Sequence, residues 1–147
     1  MSAATRSARP FSPHCGELGQ QPLEVRTWVR RSCLRMIHEK IIPPRPLPED
    51  DSRIAYIVTE IGVPAGFATF YETTAESLWL DILWIEPGLR RQGLADALLA
   101  MFTGYALAEG IDTLQLGHVT DNEPMIALME KHGWAVDHIV RAKRIGA

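Results

Sequence analysis

The residues whose types and spacing could do chemistry run from Leu83 to Ala95 as Leu-Trp-Ile-Glu-Pro-Gly-Leu-Arg-Arg-Gln-Gly-Leu-Ala. An apolar strand leads straight into a turn and a helix whose first residues are Arg90, Arg91, Gln92 and Gly93. The first N–H groups of a helix have no internal acceptor, and the helix dipole adds partial positive charge there. Gly93 removes the side chain that would hold an anion at a distance. Arg90 and Arg91 bring full charges. This is the chemistry of an anion site, best matched to a diphosphate. The glycine patterns of dinucleotide-binding folds and of P-loops are absent. The alternative is a basic helix start with a packing glycine.

A second candidate lies just upstream. Asp81 is a carboxylate inside the apolar run Leu78 to Ile85. Strand alternation puts it on the face of Leu83 and Ile85. Its apolar neighbours Leu80, Ile82 and Leu83 suit a base that works near neutral pH. The competing reading is a half-exposed carboxylate bonded to backbone or to a neighbouring arginine. Glu72 and His118 stand behind Asp81 as bases. His118 shares a face with Leu114 and Leu116, where a single histidine more often packs than reacts. Glu86 falls on the face opposite Asp81 and reads as solvated.

These residues need a scaffold. The chain has 147 residues, 46% apolar and 22% charged, which is enough for one domain with a proper core. Ten prolines and eleven glycines, many grouped as turns, punctuate alternating elements. Residues 1–22 hold Pro10, Pro13, Pro22, Gly16 and Gly19 and read as an arm without regular structure. Leu23, Val25 and Thr27 alternate as in a short strand, though the same residues could open a helix; we read a strand at 23–27 and a helix to about Ile42. The Pro43-Pro44-Arg45-Pro46-Leu47-Pro48 run stops that helix as a stiff loop. Residues 54–73 read as a hairpin, turned at Gly62-Val63-Pro64. Leu78 to Ile85 reads as a central strand buried on both faces. A helix over 90–109 follows, then a strand at 113–119. Asp121 or Asn122 caps a helix with Pro124 in its first turn, and Gly133 ends it. Trp134 to Ile145 reads as a last strand. The class is mixed α/β.

Charge is unevenly spread. Residues 1–46 carry eight basic and three acidic residues, net +5, and residues 47–147 carry seven and fifteen, net −8. Segment 49–86 has Arg53 against eight acids. An acidic body argues against a nucleic-acid groove and suits a cationic partner such as an amine. Solvated surface acids are the plainer reading. No run of about 18 apolar residues or secretory leader is present, so a cytoplasmic protein off the membrane is expected. Cys15 and Cys33 are too few for a disulfide framework, and no Cys/His cluster has zinc-ligand spacing, so no metal is expected.

The motifs resemble the GNAT superfamily of N-acetyltransferases. Its signature is an apolar residue-x-Pro, then Arg/Gln-x-x-Gly-x-Gly/Ala opening a helix. Ile85-Glu86-Pro87 and Arg90-Arg91-Gln92-Gly93-Leu94-Ala95 match it. Asn122 and Met129-Glu130-Lys131-His132-Gly133-Trp134 match a second element at the usual spacing, and Gly66-Phe67-Ala68 is similar to the third strand. The resemblance covers residues 23–147. It implies one domain there, with a central mixed, mostly antiparallel sheet flanked by helices and splayed between the strands at 78–86 and 113–119.

The resemblance further implies acetyl-CoA, or another acyl-CoA, as co-substrate and a small-molecule or protein amine as acceptor. Leu83, Trp84 and Ile85 would lie along the pantetheine arm, which pairs with backbone as an added strand does. The N–H groups of Arg91, Gln92, Gly93, Leu94 and Ala95 would hold the pyrophosphate, with Arg90 beside them. Asn122 would contact the arm. A neutral amine attacks the thioester carbonyl directly, so a base must take the amine proton and an oxyanion must be stabilised. Asp81, acting through water, is the candidate base.

Two departures matter. The family usually has Tyr where this chain has Met129, and Met has no proton for the leaving thiolate. Solvent, Tyr71 or Tyr105, or no residue then fills that role. The region 28–53 is also short, with one helix where the family uses two, which implies an acceptor pocket that is open or completed by a second copy. A homodimer through the last strand or this helix is a further expectation. The alternatives to an enzyme are a non-catalytic acyl-CoA-binding regulatory module and an unrelated phosphate-binding α/β protein.

Overall fold

Side chains alternating across strands and recurring every three to four residues along helices fix which faces meet. The computed structural model describes residues 11–74, 76–118, 122–137, 141, 143, 145 and 146. Five strands form one sheet in the order β1 (Phe11–Glu17), β2 (Arg53–Thr59), β3 (Pro64–Thr74), β4 (Ser77–Ile85) and β5 (Thr113–Leu116). The first three pairings are antiparallel and β4–β5 is parallel. Helices α1 (Leu23–His38) and α2 (Leu94–Ala108) accompany the sheet. Residues up to Leu116 form one compact unit, and those from Gly117 form another, which contains α3 (Glu123–Lys131). The mixed α/β class expected from the sequence holds. No helix of the described residues is long and apolar enough to cross a membrane.

β1 corrects the expectation of an irregular arm. Phe11 to Glu17 pair along their whole length with Thr59 to Arg53. Pro13 and Gly16 hid the strand, but this is an edge strand, where a missing N–H is tolerated. Residues 1–10 lie outside the described residues.

The strand expected at 23–27 is the first turns of α1. Its buried residues, Val25, Trp28, Val29, Ser32, Cys33 and Met36, fall at helical spacing, while Leu23 is 64% exposed. That stripe packs with Ile54, Tyr56, Phe67, Ile82 and Trp84 as one core cluster. On the other sheet face, Phe70 meets Phe102 and Tyr105 of α2, with ring centroids 5.5 and 5.0 Å away.

The β2–β3 hairpin and β4 form as expected. Gly66, opposite Ile85, permits the close β3–β4 approach: a Cβ there would come within 2.7 Å of Ile85 Cδ1 and 3.0 Å of the Trp84 carbonyl oxygen. β4 pairs with β5 from Ser77/Thr113 only to Leu80/Leu116. From Asp81 to Ile85 its β5-side edge has no strand partner among the described residues, because β5 ends at Leu116, short of the strand expected over 113–119.

The β3–β4 ladder contains a bulge the sequence did not show. Thr69 pairs with Ile82 and Phe70 with Leu80, leaving Asp81 unmatched. A bulge lets two residues oppose one and re-aims the side chain. Ile82 therefore packs toward α1 while Leu80 lies opposite Phe70 of the α2 face. The expectation that Asp81 shares a face with Leu83 and Ile85 fails for this reason.

The α2 boundary also moves. Arg91 (φ 65°) and Gly93 (φ 78°) are left-handed, so a right-handed helix cannot run through them and begins at Leu94. In the second unit, Trp134–Asp137 carry no strand; the rest of the strand expected there is outside the described residues or, at 141, 143 and 145, has no strand assignment. Val119 and Asp121 are outside the described residues.

Candidate active site

The strand-to-helix junction places backbone donors and cations together. Pro87–Leu89 make a single 3-10 turn after β4, and the Leu89 N–H donates to the Glu86 carbonyl at 2.8 Å. Arg90, Arg91, Gln92 and Gly93 follow as an exposed loop. Gly93 is the N-cap of α2 and has no side chain to cap the helix, so no N-cap side chain competes for the first-turn N–H groups of Leu94 and Ala95. A Cβ at Gly93 would meet nothing within 4 Å, so the space in front of the loop is open. Uncapped N–H groups, an open approach and two arginines fit a pyrophosphate. Leu83 and Ile85 are half-buried and Trp84 is buried.

Arg90 does not simply reach into solvent. Its Nε donates to the Ile85 carbonyl at 3.0 Å, and its guanidinium sits 5.1 Å from the Trp84 ring centroid. Arg35 of α1 sits 5.5 Å from the same ring. Glu86, expected to be solvated, is half-buried. Its Oε2 accepts the indole N–H of Trp84 at 2.8 Å and of Trp28 at 3.0 Å. One carboxylate thus ties α1 to the start of the loop.

Asp81 is engaged rather than isolated. Arg45, from the proline-rich segment after α1, donates Nη1–H to Oδ1 at 2.7 Å and Nη2–H to Oδ2 at 2.6 Å. The aspartate side chain is 18% exposed and the arginine 32%. Of the readings open at the sequence level, bonding to a neighbouring arginine is the one present. The pairing raises the Arg45 pKa, chiefly through the hydrogen bond to Asp81. Nearby, burial pushes the Cys33 thiol up to about 11, with Arg45 opposing and Asp81 reinforcing the shift.

A cavity of about 300 Å³ adjoins Asp81 and is lined also by Thr69, Tyr71, Glu72, Asp51 and Tyr105. Thr69 is 2% exposed, and its Oγ1 has no hydrogen-bond partner among the described residues. Burial raises the Tyr71 pKa, with Asp81 adding and Arg45 opposing. Burial likewise raises Tyr105, opposed by Arg53 and reinforced by Glu109 and Glu72. The structure therefore brings Asp81, Glu72, Tyr71 and Tyr105 to one cavity. His118 lies past the end of β5, exposed, not on the strand face expected for it. Sequence reasoning missed Thr69 and Arg45; no local signal marks either, since each matters through contacts distant in the chain.

In the second unit, Asn122 caps α3. Its Oδ1 accepts the Met125 N–H at 3.3 Å, and a proline stands in the first turn. Met129 is buried, and the Trp134 N–H donates to its carbonyl at 2.9 Å.

The model of the acetyltransferase (GNAT) family matches residues 23–134. No curated protein sequence matches. Among solved structures, an aminoglycoside acetyltransferase from an uncultured soil metagenomic sample, in complex with trehalose, superposes with TM-score 0.70 at 10% identity, covering 95% of this chain and 99% of its own. A ribosomal-protein-alanine N-acetyltransferase from Brucella melitensis biovar Abortus 2308 gives TM-score 0.66 at 19% identity over 92% and 99%. An aminoglycoside N-acetyltransferase in complex with CoA gives 0.62 at 14% identity over 92% and 95%. At these identities the likeness speaks for the fold.

Proposed function

Because the chain belongs to the acetyltransferase (GNAT) family, we propose that it transfers an acetyl group from acetyl-CoA to a primary amine by direct attack, with the cofactor held at the β4–α2 junction. The observation that carries this reading is the loop Arg90–Gly93, whose left-handed Arg91 and Gly93 lead from the end of β4, free on its β5 side, to a helix start with no N-cap side chain. The N–H groups from Arg91 to Ala95 hold the pyrophosphate, and Arg90 and Arg91 offset its charge. Backbone groups of Leu83, Trp84 and Ile85, on the β4 edge that β5 leaves free, accept the pantetheine arm as an added strand. Asn122 is assigned to the arm on the family motif alone. When bound, acetyl-CoA supplies an activated thioester carbonyl.

Asp81 takes the amine proton through water, once Arg45 yields one of its oxygens. Met129 cannot donate a proton to the thiolate. A thiolate with a thiol pKa of about 8.5 leaves readily without one. Asp51, Glu72 and Asp81 outnumber Arg53 on the lining of a cavity of about 300 Å³, which favours a small cationic acceptor over a protein amine. Of the relatives, the aminoglycoside enzymes act on acceptors of that kind by name.

The buried Met129 favours a second reading, a module that binds acyl-CoA without turning it over. Calorimetry with acetyl-CoA and CoA, then thiol release over a panel of amines, tests both. Binding with release supports the enzyme. Failure to bind either ligand removes the cofactor assignment.

A further inference from the structure

We propose that the Arg45 guanidinium is a tethered occupant of the acceptor's cation site, and that a polycationic amine displaces it from Asp81 and extends into the adjoining cavity. The inference rests on the acetyl-transfer reading for its biological purpose, but its evidence is the pocket itself.

Arg45 holds both oxygens of Asp81, at 2.7 and 2.6 Å, as a bidentate pair. It comes from a segment with Pro43, Pro44, Pro46 and Pro48 that has no helix or strand. Among the described residues its guanidinium makes one further hydrogen bond, a long 3.4 Å one from Nε to the Pro46 carbonyl. The grip on Asp81 is therefore what places this side chain. Asp81 also lines the cavity, so its carboxylate stands within reach of a cation there once Arg45 leaves.

Thr69 Oγ1 gives an independent sign of a ligand. The residue is 2% exposed, lines the cavity, and its hydroxyl lacks a partner among the described residues. Buried hydroxyls are nearly always bonded; this oxygen is closed off as it stands, and an amino or hydroxyl group of a ligand would satisfy it once the lining shifts with the departure of Arg45. Asp51 and Glu72, also on the lining with Arg53 opposing them, receive further ammonium groups.

The competition selects by charge count. A guanidinium makes two parallel bonds to a carboxylate, whereas an alkylammonium is a point charge. A monoamine facing Arg45 exchanges a better bond for a poorer one. A di- or triamine gains Asp51 or Glu72 in addition and can replace it. Apparent affinity scales with the fraction of molecules whose Asp81 is released, so removing the tethered cation raises it for every amine.

The test is calorimetry of the full chain with spermidine and with butylamine, in the wild type, Arg45→Gln and Arg45→Gln/Asp81→Asn, with thermal unfolding as a check of folding. The wild type is expected to prefer spermidine. Arg45→Gln should tighten both amines, butylamine by about tenfold, so that the preference narrows. The second substitution should remove the gain. Unchanged or weaker amine binding in folded Arg45→Gln overturns the proposal. Should that variant not fold, Arg45→Lys keeps the charge without the fork and should tighten binding less, in the same direction; no tightening there is equally contrary. Amine binding is read without turnover. Tightening without thiol release in the wild type would sink the transfer reading alone, and thiol release without tightening would sink this inference alone.

Discussion

Glu86 accepts the Trp84 indole N–H at 2.8 Å, two residues back along the chain, and the same oxygen takes the Trp28 indole from α1. The carboxylate stands where β4 ends and the loop begins, so α1, strand and loop share one fastening. Glu86→Ala leaves two indole donors unpaired and should cost about 1–3 kcal/mol in urea unfolding. Glu86→Gln keeps one acceptor and should cost less. Both should also weaken CoA, because Arg90 leans on Trp84; unchanged CoA affinity in a destabilised variant would detach the fastening from the loop.

Gly66 has no room for a methyl group. Its Cβ would stand 2.7 Å from Ile85 Cδ1 and 3.0 Å from the Trp84 carbonyl. Gly66→Ala should destabilise by about 1–3 kcal/mol, by overpacking at the strand pair that presents Trp84 and Ile85. Denaturant unfolding measures it, and a neutral result would mean that β3 and β4 separate easily.

Gly93→Ala meets open space but inherits a left-handed backbone. The strain is about 1–2 kcal/mol, and relief of it should re-form the loop and lower acetyl-CoA affinity. Stability loss with full affinity would argue that the loop conformation is not what binds.

Asp81→Asn removes the proton acceptor while leaving a similar shape. Turnover should fall by about 10²–10⁴-fold with acetyl-CoA affinity unchanged. Comparable turnover in wild type and variant would move the base elsewhere, with Glu72 next in line.

Cys33 gives stability a pH dependence. Its thiol is raised from 9.0 to about 11 in the fold, so between those values the unfolded chain has released the proton and the native state holds it. The native state binds more protons there, and stability falls as pH rises across that window. The wild type should lose about 2–3 kcal/mol relative to Cys33→Ala from the bottom of the window to the top. Urea unfolding of both at several pH values reads the difference; parallel curves would contradict it.

How much of this was legible depends on the distance over which each feature is decided. The junction 83–95 was readable because its chemistry is local: an apolar strand, a proline turn, two arginines and a glycine in sequence. Even there the helix start moved from Arg90 to Leu94, since a left-handed Arg91 leaves no mark in residue type. β1 was hidden by Pro13 and Gly16, because edge position is a property of the sheet. Alternation assigned Asp81 the wrong face, because the bulge arises from β3–β4 pairing. Arg45 lies 36 residues from Asp81, and Trp28 lies 58 from Glu86. No spacing rule joins such pairs, so neither the tethered arginine nor the indole clamp could be read in advance.

The most direct test of acetyl transfer is mass detection of acetylated spermidine, with thiol release followed in parallel, for wild type incubated with acetyl-CoA. The account predicts one free thiol for each acetyl group on the amine, and loss of both in Asp81→Asn. Tight acetyl-CoA binding with neither product, for spermidine and for the other amines of the panel, would contradict it and leave a protein that binds the cofactor without using it.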